Sequence, residues 1–238
     1  MDYRWNWGLL ATQPYMGWLA TGLLWTLLIS LVAYAIALAV GITAGIALTL
    51  PSRGARRIAA LYVTLLRGVP LLVQLFLLYY VVPEILPGAW GTWLKRDLPN
   101  PEYWTTAVGL GLFMSARIAE QTRAAIEATG KGLKQAALAQ GMSTGQVYRH
   151  VLLPVGLRYA LPPYTSELLN TVKNSSLALT IGMLELTGQS RQIESYTFHG
   201  IEAFTAATLI YMALSLLAIA AGRQIERRMA LPGMLAGR

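Results

Sequence analysis

The sequence of 238 residues contains no cysteine and little charge of either sign. Without cysteine the chain has no disulfide, no thiolate nucleophile and no cysteine-ligated metal site, and its redox compartment stays open. Charged residues make up 13% of the chain and hydrophobic residues 55%, with a mean hydropathy of +0.48. Because this composition is too apolar for a protein surrounded by water, it indicates an integral membrane protein.

Several kinds of reactive site are also missing from the sequence. No Gly-x4-Gly-Lys-Ser/Thr phosphate loop occurs, so the chain does not bind and hydrolyse ATP in that way. Its two histidines, His150 and His199, stand alone, and no carboxylate cluster offers a metal site. Serines such as Ser190 lack a neighbouring base for acyl transfer. We therefore expect a non-catalytic chain with no cofactor of its own.

Five apolar segments meet or nearly meet the length of about 20 residues that a helix needs to cross a membrane. Proline and glycine close the first two, as expected where a helix must stop and turn. We predict an all-α polytopic membrane protein, with residues 1–238 forming one transmembrane domain. The predicted spans are Leu19 to Leu48, Ile58 to Val82, Trp104 to Ile126, Tyr164 to Leu186 and Ala203 to Ala221.

The basic residues between these spans are distributed unevenly. Pooling alternate connections gives twelve Lys and Arg on one side and four on the other, while Arg67, Arg117 and Lys173 fall inside predicted spans. The positive-inside rule then places the N-terminus outside and the C-terminus in the cytoplasm. Since the net charge of +8 clusters beside the spans, it predicts contact with membrane lipid and not with nucleic acid.

The longest basic connection, residues 127–158, has the pattern of two short helices. Leu133, Ala136 and Ala137 recur at helical spacing, and Gly141 is suited to end the first helix in a left-handed conformation. Ser143 or Thr144 is placed to cap the second. The alanines offer a small-residue face to a soluble partner. The alternative is an amphipathic helix that lies on lipid.

This connection resembles the cytoplasmic loop of ABC importer permeases, whose pattern is Glu-Ala-Ala, three residues, Gly, nine residues, Ile, one residue, Leu-Pro. Here Gln replaces the acid and Val replaces Ile. The residues that match this pattern are Gln135, Ala136, Ala137, Gly141, Val151, Leu153 and Pro154. In that family the loop is the coupling helix that sits in a groove of the ATPase subunit, so the resemblance implies a coupling role for these seven residues.

Further segments resemble the permeases for polar amino acids, and in particular the bacterial glutamate/aspartate branch. They are Thr64 to Phe76, Met114 to Gln121, Pro162 to Glu167 and Leu169 to Leu177. The resemblance implies the type I permease fold with five spans and an outside N-terminus, which the charge count indicates independently. It also implies a bacterial inner membrane location and uptake of glutamate or aspartate.

The same resemblance implies the partners of this chain. They are a second permease subunit, identical or not, two cytoplasmic ATPase subunits that bind ATP and Mg, and a periplasmic substrate-binding protein. The chain itself would hold no nucleotide.

Ionisable side chains at membrane depth mark a pathway or a buried network, because they are costly unless paired or wetted. Arg117, Glu120 and Gln121 share one helix face, and a guanidinium there suits the carboxylate of an acidic amino acid. An intrahelical pair between Arg117 and Glu120 is the alternative. A second polar stripe follows in the fourth span. We predict that substrate contacts Arg117, Glu120, Gln121, Lys173, Asn174 and Ser175.

Two other functions are compatible with parts of this pattern. The substrate could be another polar amino acid, because the motifs are shared across that group of permeases. An ion-coupled secondary carrier would also place charges inside spans, but no convincing inverted repeat supports it. A membrane-embedded enzyme is disfavoured because no catalytic constellation is present.

Overall fold

The computed structural model describes residues 3–229 and, within them, contains helices but no strand. The predicted cytoplasmic tail ends at Arg238, outside the described residues. The α-helices are α1 (Tyr15–Thr49), α2 (Arg53–Gly68), α3 (Leu71–Phe76), α4 (Val82–Ile85), α5 (Gly88–Thr92), α6 (Pro101–Ala128), α7 (Lys131–Ala139), α8 (Thr144–Val147), α9 (Leu153–Asn174), α10 (Leu186–Thr197) and α11 (Gly200–Met229). Short 3₁₀ segments are Trp7–Ala11 and Ser175–Ile181, and π turns are Leu77–Val81, Trp93–Asp97 and Tyr148–Leu152.

Two helices, α1 and α11, are long and apolar enough by themselves to cross a membrane. The 35 residues of α1 include no charged side chain and rise about 52 Å, more than the hydrocarbon core requires. A bent pair made of α2 and residues 71–85 passes the same test when taken together. The predicted spans in α6 and α9 carry ionisable side chains, which lower their hydropathy. The count of five spans therefore stays a prediction.

The second predicted span, Ile58 to Val82, begins earlier than expected and is interrupted. Helix α2 starts at Arg53 and ends at Gly68, and α3 begins at Leu71. Pro70 has an extended backbone, with φ −56° and ψ 139°. Proline cannot donate a helical hydrogen bond and disfavours helical geometry in the residue before it, so the chain breaks at Val69 and Pro70.

The fourth predicted span, Tyr164 to Leu186, also has different bounds in the structure. Helix starts at Thr144 in α8 and continues through a π turn into α9, which ends at Asn174. Ser175–Ile181 then tightens to a 3₁₀ helix, which Gly182 ends in the left-handed region at φ +91°. The second short helix of the 127–158 region is therefore continuous with α9.

The chain divides into two compact units, which we describe separately. The first comprises Met1–Ala35, Val69–Gly111 and Asn170–Leu216, and the second comprises Ile36–Gly68, Leu112–Leu169 and Leu217–Arg238. Helices α1, α6, α9 and α11 each contribute residues to both. Each unit is therefore built from three separate stretches of the sequence.

The first unit is organised around two buried glutamates. Glu185, which caps α10, accepts hydrogen bonds from the amides of Thr187 and Gly188 and from the hydroxyl of Tyr211 at 2.6 Å. Glu202 accepts from the Asn6 amide at 2.8 Å and from the Tyr3 hydroxyl, and the latter bond raises the pKa of Tyr3. These bonds attach α10 to α11 and the N-terminal segment to the start of α11.

The second unit contains a close packing of α1 on α6. A methyl group added at Gly41 would lie 2.6 Å from the Ser115 carbonyl oxygen, and one at Gly45 would lie 2.4 Å from the Thr122 Cβ. Two glycines four residues apart thus let the two backbones approach as small-residue motifs do in membranes. A side chain at either position would force the helices apart.

Candidate functional site

Among the described residues of the second unit, two clusters of charged side chains include residues of α6, and the first joins α6 to α9. Arg117 donates from Nε to Glu167 Oε2 at 2.7 Å and from Nη2 to Glu167 Oε1 at 3.1 Å. Gln121, one helical turn further on, donates from Nε2 to Glu167 Oε1 at 2.6 Å. The Glu167 carboxylate therefore accepts three hydrogen bonds from one face of α6.

The two ends of this ion pair have very different environments. The side chain of Glu167 is 2% exposed, whereas that of Arg117 is 45% exposed. A buried carboxylate needs such partners, because burying a charge without hydrogen bonds and a counterion is costly. The accessible side of the Arg117 guanidinium remains a place where another anion can bind.

Gln121 also has an amide oxygen that is buried and has no hydrogen-bond partner among the described residues. Buried polar atoms are nearly always paired, so such an acceptor marks a place for a donor. It lies on the same side chain that bonds Glu167.

The second cluster surrounds Glu120. Arg123 donates from Nη2 to Glu120 Oε2 at 2.8 Å, and Arg67 Nη1 lies 3.7 Å from Oε1. The alternative of an intrahelical pair between Arg117 and Glu120 is therefore not what the structure contains. Arg117 reaches across to α9 instead, while Glu120 pairs one turn onward along α6 and with the last turn of α2.

The remaining predicted substrate residues belong to the other compact unit. Lys173 is exposed in the last turn of α9, and Asn174 ends that helix. Ser175 is buried and its hydroxyl donates to the Val172 carbonyl at 2.8 Å. The structure thus places Arg117, Glu120 and Gln121 on α6. Lys173 and Asn174 lie at the end of α9, and Ser175 directly follows that helix.

The 127–158 region has the turn that the sequence predicts. Gly141 takes φ +83°, the left-handed conformation, just after α7 ends. Ser143 caps α8: its Oγ accepts from the Gln146 amide, and the Gln146 side chain accepts from the Ser143 amide at 2.8 Å. This reciprocal capping box satisfies two amides at the start of α8.

Helix α7 has an inner and an outer side. Ala137 is buried in an apolar cluster with Ile126, Val147, Tyr148 and Leu152, and the Tyr148 hydroxyl donates to the Thr49 carbonyl at 2.6 Å. Gln135 and Ala136 are exposed. Of the predicted small-residue face, Ala136 therefore points outward and Ala137 inward, because neighbouring residues on a helix are about 100° apart.

The last three residues that match the permease pattern are Val151, Leu153 and Pro154, and two of them pack against the apolar cluster around Ala137. Val151 and Leu153 are half-buried against the same cluster, and Pro154 is exposed in the first turn of α9. Pro154 has no amide hydrogen to donate, and it lies shortly after the π turn Tyr148–Leu152.

Comparison with known proteins assigns this arrangement to a family. Residues 37–231 match the family described as "Binding-protein-dependent transport system inner membrane component". The chain belongs to this family of transport permeases. The predicted fold class is thereby confirmed. The permease is also similar along 95% of its length to the whole of one chain from a crystal structure of an amino acid ABC transporter with histidines, at a TM-score of 0.80 and 26% identity.

Two curated relatives are similar to the permease over nearly its full length. One is the glutamate/aspartate import permease protein GltJ of Escherichia coli, 42% identical over 246 residues and 100% of both chains. The other is the glutamine transport system permease protein GlnP of Escherichia coli, 31% identical over 96% of this chain and 99% of that one. Both names describe permease proteins of transport systems, which is the class of protein predicted for this chain.

Some residues that organise the permease were missed by sequence reasoning. The predicted substrate contacts do not include Glu167, whose pairing with Arg117 spans 50 positions. Glu185 was assigned to the end of a span, although its place before Thr187 and Gly188 is that of a helix cap. An acidic residue directly before a predicted helix can accept hydrogen bonds from the first amides of that helix. This position in the sequence is the signal that identifies such a cap.

Proposed function

We propose that this permease is the transmembrane subunit of an ATP-driven importer of glutamate and aspartate. The observation that carries the proposal is the 42% identity to the glutamate/aspartate permease along both whole chains, against 31% to the glutamine permease. In this proposal the chain lines the translocation path in the bacterial cytoplasmic membrane, with its N-terminus periplasmic and its C-terminus cytoplasmic.

The ion pair between Arg117 of α6 and Glu167 of α9 supports an acidic substrate. Arg117 already holds a carboxylate, that of Glu167, through two nitrogens, and this fork geometry discriminates carboxylates from amides. In the transport cycle a substrate carboxylate binds to the exposed side of the Arg117 guanidinium. The unpaired oxygen of Gln121 is an acceptor suited to the substrate ammonium group.

The other predicted contacts form part of the same proposal. Lys173 and Asn174 provide donors at the end of α9, and Glu120 provides a further carboxylate. Ser175 follows in the 3₁₀ segment, and its hydroxyl has to leave the Val172 carbonyl before it can donate to substrate. In the present conformation Glu120 is engaged by Arg123 and Arg67. Its participation therefore requires that one of these contacts opens when substrate binds.

Coupling to ATP hydrolysis is assigned to the 127–158 region. The exposed Gln135 and Ala136 would enter a groove of the ATPase, while Ala137, Val151 and Leu153 attach α7 to the permease body. Gly141 provides the turn after α7, and Pro154 follows the π turn that leads into α9. Two ATPase subunits bind the ATP and Mg, a second permease subunit completes the pathway, and a periplasmic protein delivers the substrate.

A permease for a different polar amino acid is the second candidate. The 31% identity to the glutamine permease favours it, because that relative also aligns over nearly its full length. The two candidates differ in the charge of the transported side chain, so a direct comparison of glutamate with glutamine separates them.

The experiment is uptake by the whole transporter, purified with its partner subunits and reconstituted in vesicles that contain ATP. We expect glutamate and aspartate to be taken up, glutamine to compete weakly, and uptake to stop when ATP is omitted. Preferred uptake of glutamine would establish the second candidate. Uptake by this chain alone, driven by an ion gradient, would overturn both.

A further inference from the structure

A pocket of 410 Å³ lies in the second unit, beside the start of α7. The ends of α1 and α6, the first turn of α2 and the π turn Tyr148–Leu152 contribute to its wall, and all of its described lining residues belong to this unit. Three of them are charged, namely Arg56 of α2, Glu127 of α6 and Lys134 of α7. None of these three side chains belongs to the predicted substrate or coupling residues.

Lys134 lies on the inner side of α7. It precedes the buried Ala137 by three positions, so the two side chains share one face of the helix. Three residues of the cluster that buries Ala137 also line the pocket, namely Ile126, Tyr148 and Leu152. Lys134 is half-buried there and makes no ion pair among the described residues. A partly buried cation without a counterion favours the binding of an anion.

Arg56 reaches the same pocket from α2. It precedes the buried Ala59 by three positions, and its Nη2 donates to the Leu50 carbonyl at 3.1 Å. Thr49, the neighbour of Leu50, lines the pocket and accepts a hydrogen bond of 2.6 Å from the Tyr148 hydroxyl at its carbonyl. A guanidinium has five N–H donors, and in the part of the chain that the structure describes Arg56 has no acidic partner.

Glu127 is the acidic side chain of the pocket, and it is only loosely paired. Its Oε1 lies 3.5 Å from Nη1 of Arg123, whereas Arg123 donates to Glu120 at 2.8 Å, and 58% of the Glu127 side chain is exposed. The neutral hydroxyls nearby are engaged, because Thr49 and Thr129 both donate to main-chain carbonyls at 2.8 and 2.7 Å. The three charged groups therefore determine what the pocket can bind.

These charges complement a dicarboxylic amino acid, which has two carboxylates and one ammonium group. Arg56 and Lys134 each offer donors to one carboxylate, and Glu127 can accept from the ammonium group. A neutral amino acid would leave one of the two cations without a partner. Inorganic phosphate would be repelled by the Glu127 carboxylate.

We propose that this pocket binds one molecule of free glutamate or aspartate, with its carboxylates on Arg56 and Lys134 and its ammonium group on Glu127. The inference rests on the proposed function, which delivers these amino acids to the side of the membrane where the 127–158 region lies. A bound molecule would connect α2, α6 and α7 and restrain α7, whose outer side carries the proposed ATPase contact. The imported amino acid would thereby slow its own further uptake.

Equilibrium binding of radiolabelled glutamate to the purified full-length chain in lipid nanodiscs tests the site. We expect Lys134→Gln and Arg56→Gln each to weaken binding by about tenfold, because each removes one charge-assisted hydrogen bond. Arg149→Gln removes an exposed arginine that is not among the lining residues and should behave as the wild type. Equal affinities of Lys134→Gln and wild type would overturn the proposal, even if Arg56→Gln lowers stability through its lost bond to Leu50.

Competition by unlabelled compounds tests the class of ligand. Aspartate should compete as glutamate does, and glutamine, which lacks the second carboxylate, about tenfold more weakly. Glu127→Gln should weaken the binding of glutamate but not that of glutarate, which has both carboxylates and no ammonium group. Competition by inorganic phosphate as strong as that by glutamate would indicate a general anion site and overturn the assignment.

The double variant Arg117→Ala/Glu167→Ala separates this pocket from the proposed transport site, because it removes the contact on α6 without leaving either charge unpaired. Unchanged glutamate affinity in this variant, together with the loss in Lys134→Gln, would support the pocket. The reverse result would overturn the pocket and leave the proposed function standing. If the whole transporter prefers glutamine while Lys134-dependent glutamate binding persists, the site stands and the proposed function fails.

Vesicles of the whole transporter test the effect on uptake. Glutamate trapped inside with ATP should slow the uptake of labelled aspartate, and trapped glutamine should not. In Lys134→Gln about ten times more trapped glutamate should be needed for the same fractional inhibition, measured against the rate of that variant without trapped glutamate. Equal inhibition in Lys134→Gln and wild type would overturn the effect of the pocket on uptake.

Discussion

Arg117 and Glu167 hold each other through two hydrogen bonds, of 2.7 and 3.1 Å, although 50 positions separate them in the sequence. The pair connects α6 to α9 and gives a buried carboxylate its counterion. Any change at Arg117 therefore affects Glu167 as well as the proposed contact with substrate. The experiments on this residue have to separate them.

Replacing Arg117 by Ala should abolish glutamate uptake and lower the free energy of unfolding by about 1 to 3 kcal/mol, because Glu167 is left buried and poorly paired. The double variant Arg117→Ala/Glu167→Ala removes both charges, so we expect it to recover thermal stability but not transport. Full recovery of uptake in the double variant would show that Arg117 serves Glu167 alone. Arg117→Lys keeps the charge without the fork and should retain weak uptake.

Ala136 and Ala137 are neighbours with opposite environments, so the same substitution should affect different properties. Ala136→Trp places a large side chain on the outer side of α7 and should prevent ATPase binding without lowering the melting temperature. Ala137→Trp overpacks the cluster around Tyr148 and should cost about 1 to 3 kcal/mol of stability. Co-purification with the ATPase and thermal unfolding measure the two outcomes. Intact ATPase binding by Ala136→Trp would rule out this side of α7 as the docking surface.

Gly141 is held in the left-handed region at φ +83° with open space around it. A non-glycine residue in this conformation typically costs roughly 1 to 2 kcal/mol. Gly141→Val, which adds a β-branched side chain, should therefore lower the free energy of unfolding by more than this amount and should impair substrate-stimulated ATP hydrolysis. Gly141→Asn should be milder, since Asn tolerates this conformation. Gly132→Ala, in the same helix region and also in open space, is the control. Equal hydrolysis in Gly141→Val and wild type would contradict a role in coupling.

Gly45 packs against Thr122 so closely that a methyl group has no room. We expect Gly45→Ala to separate α1 from α6 and to lower stability by about 1 to 3 kcal/mol. Gly68→Ala, at the end of α2 where nothing lies within 4 Å, should be neutral or gain up to about 1 kcal/mol from helix propensity. Thermal unfolding in detergent compares them, and similar melting temperatures would exclude the close approach.

Local features of this protein were predictable from its sequence because neighbouring residues determine them. The left-handed Gly141 and the cap at Ser143 both followed from residue types within a few positions. The family could be identified for the same reason, since its motifs are short and continuous.

Contacts between distant segments were not predictable in this way. Helical spacing offered Glu120 as the partner of Arg117, because only residues three or four positions away can be inferred from periodicity. The actual partner, Glu167, lies on another helix. Likewise Ala137 was expected to face outward with Ala136, and its burial depends on the tertiary position of Tyr148.

The interruption at Pro70 has a consequence for the backbone carbonyl beside it. The carbonyl of Val69, which the break leaves outside the regular helix, accepts a hydrogen bond of 2.9 Å from the side chain of Gln74. In lipid an unsatisfied carbonyl would cost several kcal/mol, so this amide makes the break tolerable in an apolar environment.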